Sequence, residues 1–165
     1  MGFFFNPNIH PYREFKARLK AVEEMALKKD LEVIYHREYG LREFLKEVSG
    51  REEFPRRCEA CYFLRLRETA RLAAELKAEA FTTTILYSPY QLHHLVKEIG
   101  EALSKVYQVP FYYEDFRKGF KKGQDEAVKL GLYRQSYCGC IFSEEERYYK
   151  KRRKEIARKR RELPW

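Results

Sequence analysis

The chain has 165 residues, enough for one domain whose core buries roughly two thirds of the unfolded surface. With 44% hydrophobic and 16% aromatic residues, it is not of disordered composition. The net charge of +9 is concentrated in residues 147–162, which carry +8 and leave the rest of the chain near neutral. No run approaches the roughly 20 apolar residues that span a bilayer, and Met1-Gly2-Phe3-Phe4-Phe5 passes at once into Asn6-Pro7-Asn8 instead of a leader's apolar region. The expected compartment is the cytoplasm, without a membrane partner. There, four cysteines serve metal or redox chemistry more often than structural disulfides.

Phe3 to Asn6 reads as a buried strand ended by Pro7 and Pro11. From Tyr12 to Lys29, Phe15, Leu19, Val22 and Ala26 recur at three and four residues and give a helix one buried face. Leu31 to Tyr35 is the next strand. A helix over Leu41 to Val48 follows, stopped by Ser49-Gly50. After Pro55, Cys58 to Leu76 reads as a long helix with the first cysteine pair, Cys58-Glu-Ala-Cys61, in its first turn, where unpaired amides favour thiolate.

The β-branched run in Ala80 to Leu86 predicts a central strand. Ser88-Pro89 reads as an N-cap and first helical residue for a helix through about Lys105. Val109 to Tyr113 is a further strand, and Phe120 to Leu130 a helix closed by Gly131. The second cysteine pair, Cys138-Gly-Cys140, forms a turn. Ser143 with Glu146 reads as a capping box for a basic C-terminal helix. The alternation predicts an α/β protein of one domain: a parallel sheet flanked by helices over residues 1–145, then a basic helix or tail over residues 146–165. The basic block is either a phosphate-backbone contact or a solvated helix face.

A Cys-x-x-Cys pair serves redox, zinc and iron–sulfur sites alike. A zinc site of all four cysteines, stabilising a nucleic-acid-binding module, is one reading. Against it, the Cys-Gly-Cys spacing is tighter than zinc hairpins use. Cys138 and Cys140 close a disulfide only in a small, strained ring, which is easily reduced, and Gly139 supplies the backbone freedom. They therefore suit a cycling dithiol, while Cys58 and Cys61 suit metal.

His10 is a candidate substrate or metal contact, with loop capping as the alternative. His93 and His94 face different sides of a helix and suit packing or solvent. Thr83 and Thr84 are candidate ribose or phosphate contacts, with strand packing as the alternative. Tyr113 and Tyr133 are candidates to stack an extruded base, as are Tyr112 and Tyr137; Arg134 is a further candidate substrate contact. Asp115 and Glu114, after a strand, are candidates to supply a proton or to ligate metal.

Five blocks carry a specific resemblance: Asn6-Pro-Asn-Ile-His-Pro11, Arg57-Cys-Glu-Ala-Cys-Tyr-Phe-Leu-Arg-Leu66, Phe81-Thr-Thr-Thr-Ile-Leu-Tyr-Ser-Pro-Tyr90, Tyr112-Tyr-Glu-Asp-Phe-Arg117 and Leu132-Tyr-Arg-Gln-Ser-Tyr-Cys-Gly-Cys-Ile-Phe-Ser143. Together they resemble the cobalamin-independent epoxyqueuosine reductase family of the QueH type, over residues 3 to about 149. The resemblance implies a Rossmann-like, HUP-like three-layer fold and reduction of epoxyqueuosine to queuosine at the tRNA wobble position, the last step of queuosine synthesis. Implied with it are a [4Fe-4S] cluster held in part by Cys58 and Cys61, a redox-active disulfide of Cys138 with Cys140, an external electron donor and tRNA as partner. The cluster, or an additional iron ion beside it, is expected to act as Lewis acid on the epoxide oxygen. The family pattern has a strand, a helix and an adjacent Cys-Cys pair ahead of the Asn6 block. The expectation is a start placed too far downstream, since stripping that unit exposes an apolar sheet edge. The alternative is a tRNA-binding remnant with half a cluster site.

Overall fold

The computed structural model describes residues 1–161; the last four residues of the expected 146–165 segment lie outside them. Strand β1 (Gly2–Phe4) pairs in parallel with β2 (Val33–Tyr35), Gly2 opposite Val33 and Phe4 opposite Tyr35. Helix α1 (Tyr12–Lys29) makes the crossover, so the chain opens with a βαβ unit. The helix ends where Asp30 takes a left-handed conformation (φ 50°) and the Leu31 amide closes on the Ala26 carbonyl at 2.9 Å. Its apolar stripe packs as expected: Phe4, Ile9 and Phe15 form a buried cluster, with Leu19, Val22, Val33, Tyr35 and Tyr39 against it. Phe15 alone contributes about 2–3 kcal/mol by leaving water.

The described chain divides into two units, one of Met1–Phe54 with residues 131–161, the other of Pro55–Leu130. In the first, α2 (Leu41–Val48) buries Phe44 and Val48 completely. A Cβ on Gly40 would lie 2.4 Å from Pro7 Cβ, so glycine is what lets the start of α2 sit against the Asn6-to-Pro11 loop. Helices α6 (Ile141–Tyr148) and α7 (Lys150–Arg161) complete this unit. Tyr149, extended at φ −79° and ψ 106°, separates them. The basic run is therefore a helix of its own and not the continuation of one capped at Ser143.

The second unit holds α3 (Arg56–Glu75), α4 (His93–Tyr107) and α5 (Phe120–Lys129). Helix α3 packs on α4, and the Tyr62 hydroxyl joins them to the segment between: it donates to Gln91 Oε1 at 2.8 Å and accepts from the Leu92 amide at 3.2 Å.

Here the expected strands are cut short. Phe81 and Phe111 form an isolated parallel bridge, with rings 5.1 Å apart. The protein is thus α/β but mostly helical, with a sheet of two strands among the described residues. The cause at the 80–86 run is local. Thr83 Oγ1 accepts the Ile85 amide at 3.2 Å and turns the chain into a 3-10 helix, Thr84–Tyr87, ahead of any ladder. Ser88-Pro89 does not open α4. Ser88 Oγ takes the Tyr90 amide at 3.3 Å in a turn, and the helix starts at His93.

Candidate functional site

In the first unit the Asn6-to-Pro11 loop and the Cys138-Gly139-Cys140 turn are built against each other. The His10 amide donates to the Gly139 carbonyl at 2.8 Å, and the Tyr137 hydroxyl donates to the His10 carbonyl. Gly139 has φ +141°, a region L side chains rarely enter. A Cβ there would meet Arg18 Nη1 at 3.2 Å and Asn8 Nδ2 at 3.3 Å. The torsion therefore requires glycine, and the space around it is tight.

Cys138 is exposed and Cys140 buried, and both carry thiols. Cys140 is the N-cap of α6: its sulfur accepts the Ser143 amide at 3.3 Å, and its carbonyl accepts the Ser143 hydroxyl at 2.7 Å. Sulfur does the work that serine, threonine or aspartate usually does at this position. Ser143 lies inside the helix, so the expected capping box is replaced. Its hydroxyl instead accepts the Gly139 amide at 3.2 Å.

Arg18 was not visible as a site residue in the sequence, although its position was informative. It sits three residues after Phe15, on the inward stripe of α1, where an arginine is costly unless its donors are satisfied. Only 8% of it is exposed. Its guanidinium donates from Nε to Glu14 at 2.7 Å, from Nη1 to Gln135 Oε1 at 2.7 Å and the Cys138 carbonyl at 2.8 Å, and from Nη2 to the Tyr137 carbonyl at 2.9 Å. It also lies 5.5 Å from the Tyr137 ring centroid.

Other expected residues of this unit fall around the same node. Tyr133 donates to the second oxygen of Glu14. Burial, then that carboxylate, push its hydroxyl up to about 12. Tyr137 is likewise pushed up to about 12, first by burial and then by Glu14. Both phenols stay protonated at neutral pH and act as donors. His10 is 1% exposed, between the rings of Tyr39 and Phe44, with Nε2 3.0 Å from the Pro7 carbonyl. Burial lowers its pKa, partly offset by that carbonyl. The ring faces its own loop and caps it. Arg134 is exposed.

The second unit carries the remaining candidates. Cys58 and Cys61, half-buried and buried, sit one turn apart at the start of α3, which begins at Arg56 and so ahead of the expected boundary. The Cys58 amide bonds to the Pro55 carbonyl at 2.9 Å. Asp115 is the N-cap of a 3-10 turn, Phe116–Gly119, and holds Arg117 through both carboxylate oxygens at 2.8 and 2.7 Å. Those hydrogen bonds, the side-chain one foremost, hold its carboxyl well below the usual carboxylate range. Both of its oxygens are engaged as acceptors by Arg117. Tyr113 lies under Lys97 Nζ, 5.3 Å from the ring centroid. Thr83 and Thr84 form the 3-10 turn already described. His93 is buried with Nε2 3.3 Å from the Ser88 carbonyl, and burial lowers its pKa, as does Arg117 to a lesser degree.

Among the described residues, no three His, Cys, Asp or Glu side chains gather closely enough to hold a metal ion. A four-iron cluster takes four thiolates. Cys58 and Cys61 therefore fit half of such a site and not a whole one.

The sequence pattern described as "Epoxyqueuosine reductase QueH" matches residues 1–146. The chain belongs to that family. Among the relatives bearing the name, the protein of Thermotoga maritima is 38% identical over 166 residues, covering 96% of this chain and 85% of its own. That of Dehalococcoides mccartyi is 38% identical over 148 residues, covering 90% of this chain and 80% of its own. The Helicobacter pylori relative is 36% identical over 153 residues, which is 87% of this chain and 41% of the relative. The family match spans both cysteine pairs and the Arg18 node, and stops before α7.

Proposed function

We propose that the protein reduces epoxyqueuosine to queuosine in the anticodon wobble position of tRNA. The observation that carries this reading is the family match over residues 1–146, which includes Cys138-Gly139-Cys140. In the proposed reaction the two thiols give up two electrons and two protons and become a disulfide. The two C–O bonds of the epoxide break, its oxygen leaves as water, and a carbon–carbon double bond forms. An external reductant then returns the pair to thiols.

The exposure of Cys138 and the cap contact on Cys140 support a division of labour. The exposed sulfur exchanges with partners. The buried one is held in place by the Ser143 amide it accepts. Cys58 and Cys61 are read as two ligands of a [4Fe-4S] cluster, whose chemistry would be electron transfer and Lewis-acid activation of the epoxide oxygen. Because the set present is incomplete, no step above is routed through it, and the same holds for an additional iron ion. Tyr113, Tyr133 and Arg134 remain the candidates for touching the nucleoside, while His10 and Thr83 are engaged in holding their own turns.

The tRNA partner is supported by α7, where Lys and Arg fill most of the positions from Lys150 to Arg161. A cytoplasmic location follows from the reaction proposed, and no described helix is long and apolar enough to cross a membrane. The β1–α1–β2 unit supports the Rossmann-like, three-layer architecture that goes with this reading.

The test is conversion. Anaerobically prepared protein reconstituted with iron and sulfide, given a reductant and tRNA carrying epoxyqueuosine, yields queuosine on nucleoside analysis. The Cys138→Ser and Cys140→Ser variants yield none. Undiminished conversion by both variants would remove the thiol pair from the reaction, and absence of conversion by protein shown by iron and sulfide analysis to hold an intact four-iron cluster would remove the reaction itself.

A further inference from the structure

We propose that Arg18 is a positioning residue for the Cys138–Cys140 pair, a backbone clamp that biases the pair toward its dithiol state and so makes it a stronger oxidant than the turn alone would be. The inference rests on the redox role proposed above and deepens it.

Through the turn, successive backbone groups are held. Arg18 takes the carbonyls of Tyr137 and Cys138. The His10 amide takes the Gly139 carbonyl, the Ser143 hydroxyl takes the Gly139 amide, and the Ser143 and Glu144 amides take the Cys140 carbonyl at 3.0 Å each. Of these ties, the His10 amide belongs to the backbone of the Asn6-to-Pro11 loop, and Ser143 and Glu144 to the helix the turn opens. Arg18 is a single side chain from α1, 120 residues away in sequence from Cys138, gripping two consecutive carbonyls. Its plane is fixed from behind by Glu14 and Gln135, and Gly139 lies against Nη1. A planar fork with donors in fixed directions does this, and an ammonium cannot.

The consequence follows from ring size. In this turn both cysteines are thiols, Cys138 exposed and Cys140 buried with its sulfur on the Ser143 amide, so bringing the two sulfurs together requires the torsions between them to change. A clamp that holds the carbonyl of the first cysteine and the one before it in the arrangement of the dithiol opposes that change. It shifts the equilibrium between thiols and disulfide toward thiols, and so raises the tendency of the disulfide to be reduced.

The experiment is a redox titration of the full chain in dithiothreitol buffers, with trapped thiols read by mass spectrometry on the peptide 135–147. That peptide contains both cysteines and excludes Cys58 and Cys61. Oxidation transfers two electrons and two protons from the pair to oxidised dithiothreitol. In Arg18→Gln the equilibrium constant for disulfide formation is expected to rise about tenfold, a potential lower by about 30 mV. Arg18→Lys, which keeps the charge and loses the fork, is expected to move at least half as far on the millivolt scale, and carries the test alone should Arg18→Gln not fold. A purely structural role would change the unfolding midpoint and leave the potential of the folded chain alone. Equilibrium constants within twofold of wild type in both folded variants, or Arg18→Lys equal to wild type, would overturn the clamp while leaving the reductase reading intact. A wild-type chain that forms no Cys138–Cys140 disulfide at any buffer ratio would overturn both.

Discussion

Cys58 and Cys61 are set by one turn of a single helix, whereas Cys138 and Cys140 are set by residues 8–18, more than a hundred positions earlier in the chain. The first arrangement needs only the i, i+3 geometry of α3 and a proline before it. The second needs a left-region glycine, an arginine brought in from α1, a histidine amide and a sulfur that caps a helix. Local arrangements are cheap to build and tolerate change. Arrangements spread across the chain hold a geometry that the local sequence would not choose, and they fail when any distant member is altered.

The largest test of that contrast is Gly139→Ala. Torsion and space both oppose a Cβ at this position, so a loss of about 2–3 kcal/mol in unfolding free energy is expected, measured by denaturant titration of the metal-free chain. A loss below about 0.5 kcal/mol would mean that the turn yields easily.

A middle-sized effect is expected from pH. His10 and His93 both have pKa values lowered chiefly by burial. The folded protein keeps them neutral, while the unfolded chain binds protons below about 6.5. Stability from these groups is therefore complete above about pH 6.5 and is lost as pH falls toward their folded pKa values. Unfolding midpoints at pH 7.5 and 5.5 should differ less in His10→Gln than in wild type, and His10, being the more deeply buried, should account for more of the slope than His93. An unchanged slope in His10→Gln would show that the loop opens to solvent on protonation without unfolding.

The smallest effect is expected at the local pair. Cys58→Ala in the metal-free chain should change stability by no more than about 0.5 kcal/mol, because a half-buried thiol in a first helical turn leaves little behind. A loss as large as that of Gly139→Ala would erase the contrast between the two pairs.

The same contrast explains what could be read from the sequence. Helices α1 and α2 have the expected boundaries, Tyr12–Lys29 and Leu41–Val48, because their apolar periodicity is local and unbroken. The Thr82-Thr83-Thr84 run carries strand propensity, yet a single side-chain-to-backbone bond from Thr83 diverts it. Propensity averages over a window, and a cap acts at one atom. Ser88 misled for a related reason, since the hydroxyl that would cap a helix serves a turn five residues before the helix starts. Both cysteine pairs could be picked out from spacing. Arg18 could not, because its function lies in carbonyls of residues 137 and 138, and no pattern within α1 points to them. Asp115 shows the reverse case: the carboxylate after an expected strand is visible in the sequence, while its engagement by Arg117 is visible only in the structure.

The sulfur of Cys140 has two employers. It is one half of the thiol pair and also the atom on which the first turn of α6 hangs. In the cycle proposed above, a sulfur bonded to a second sulfur is a poorer acceptor than a free one, so oxidation would loosen the start of that helix and reduction would tighten it. The Ser143 amide proton would then serve as a built-in gauge, its chemical shift and exchange rate tracking the redox state of a bond it does not belong to.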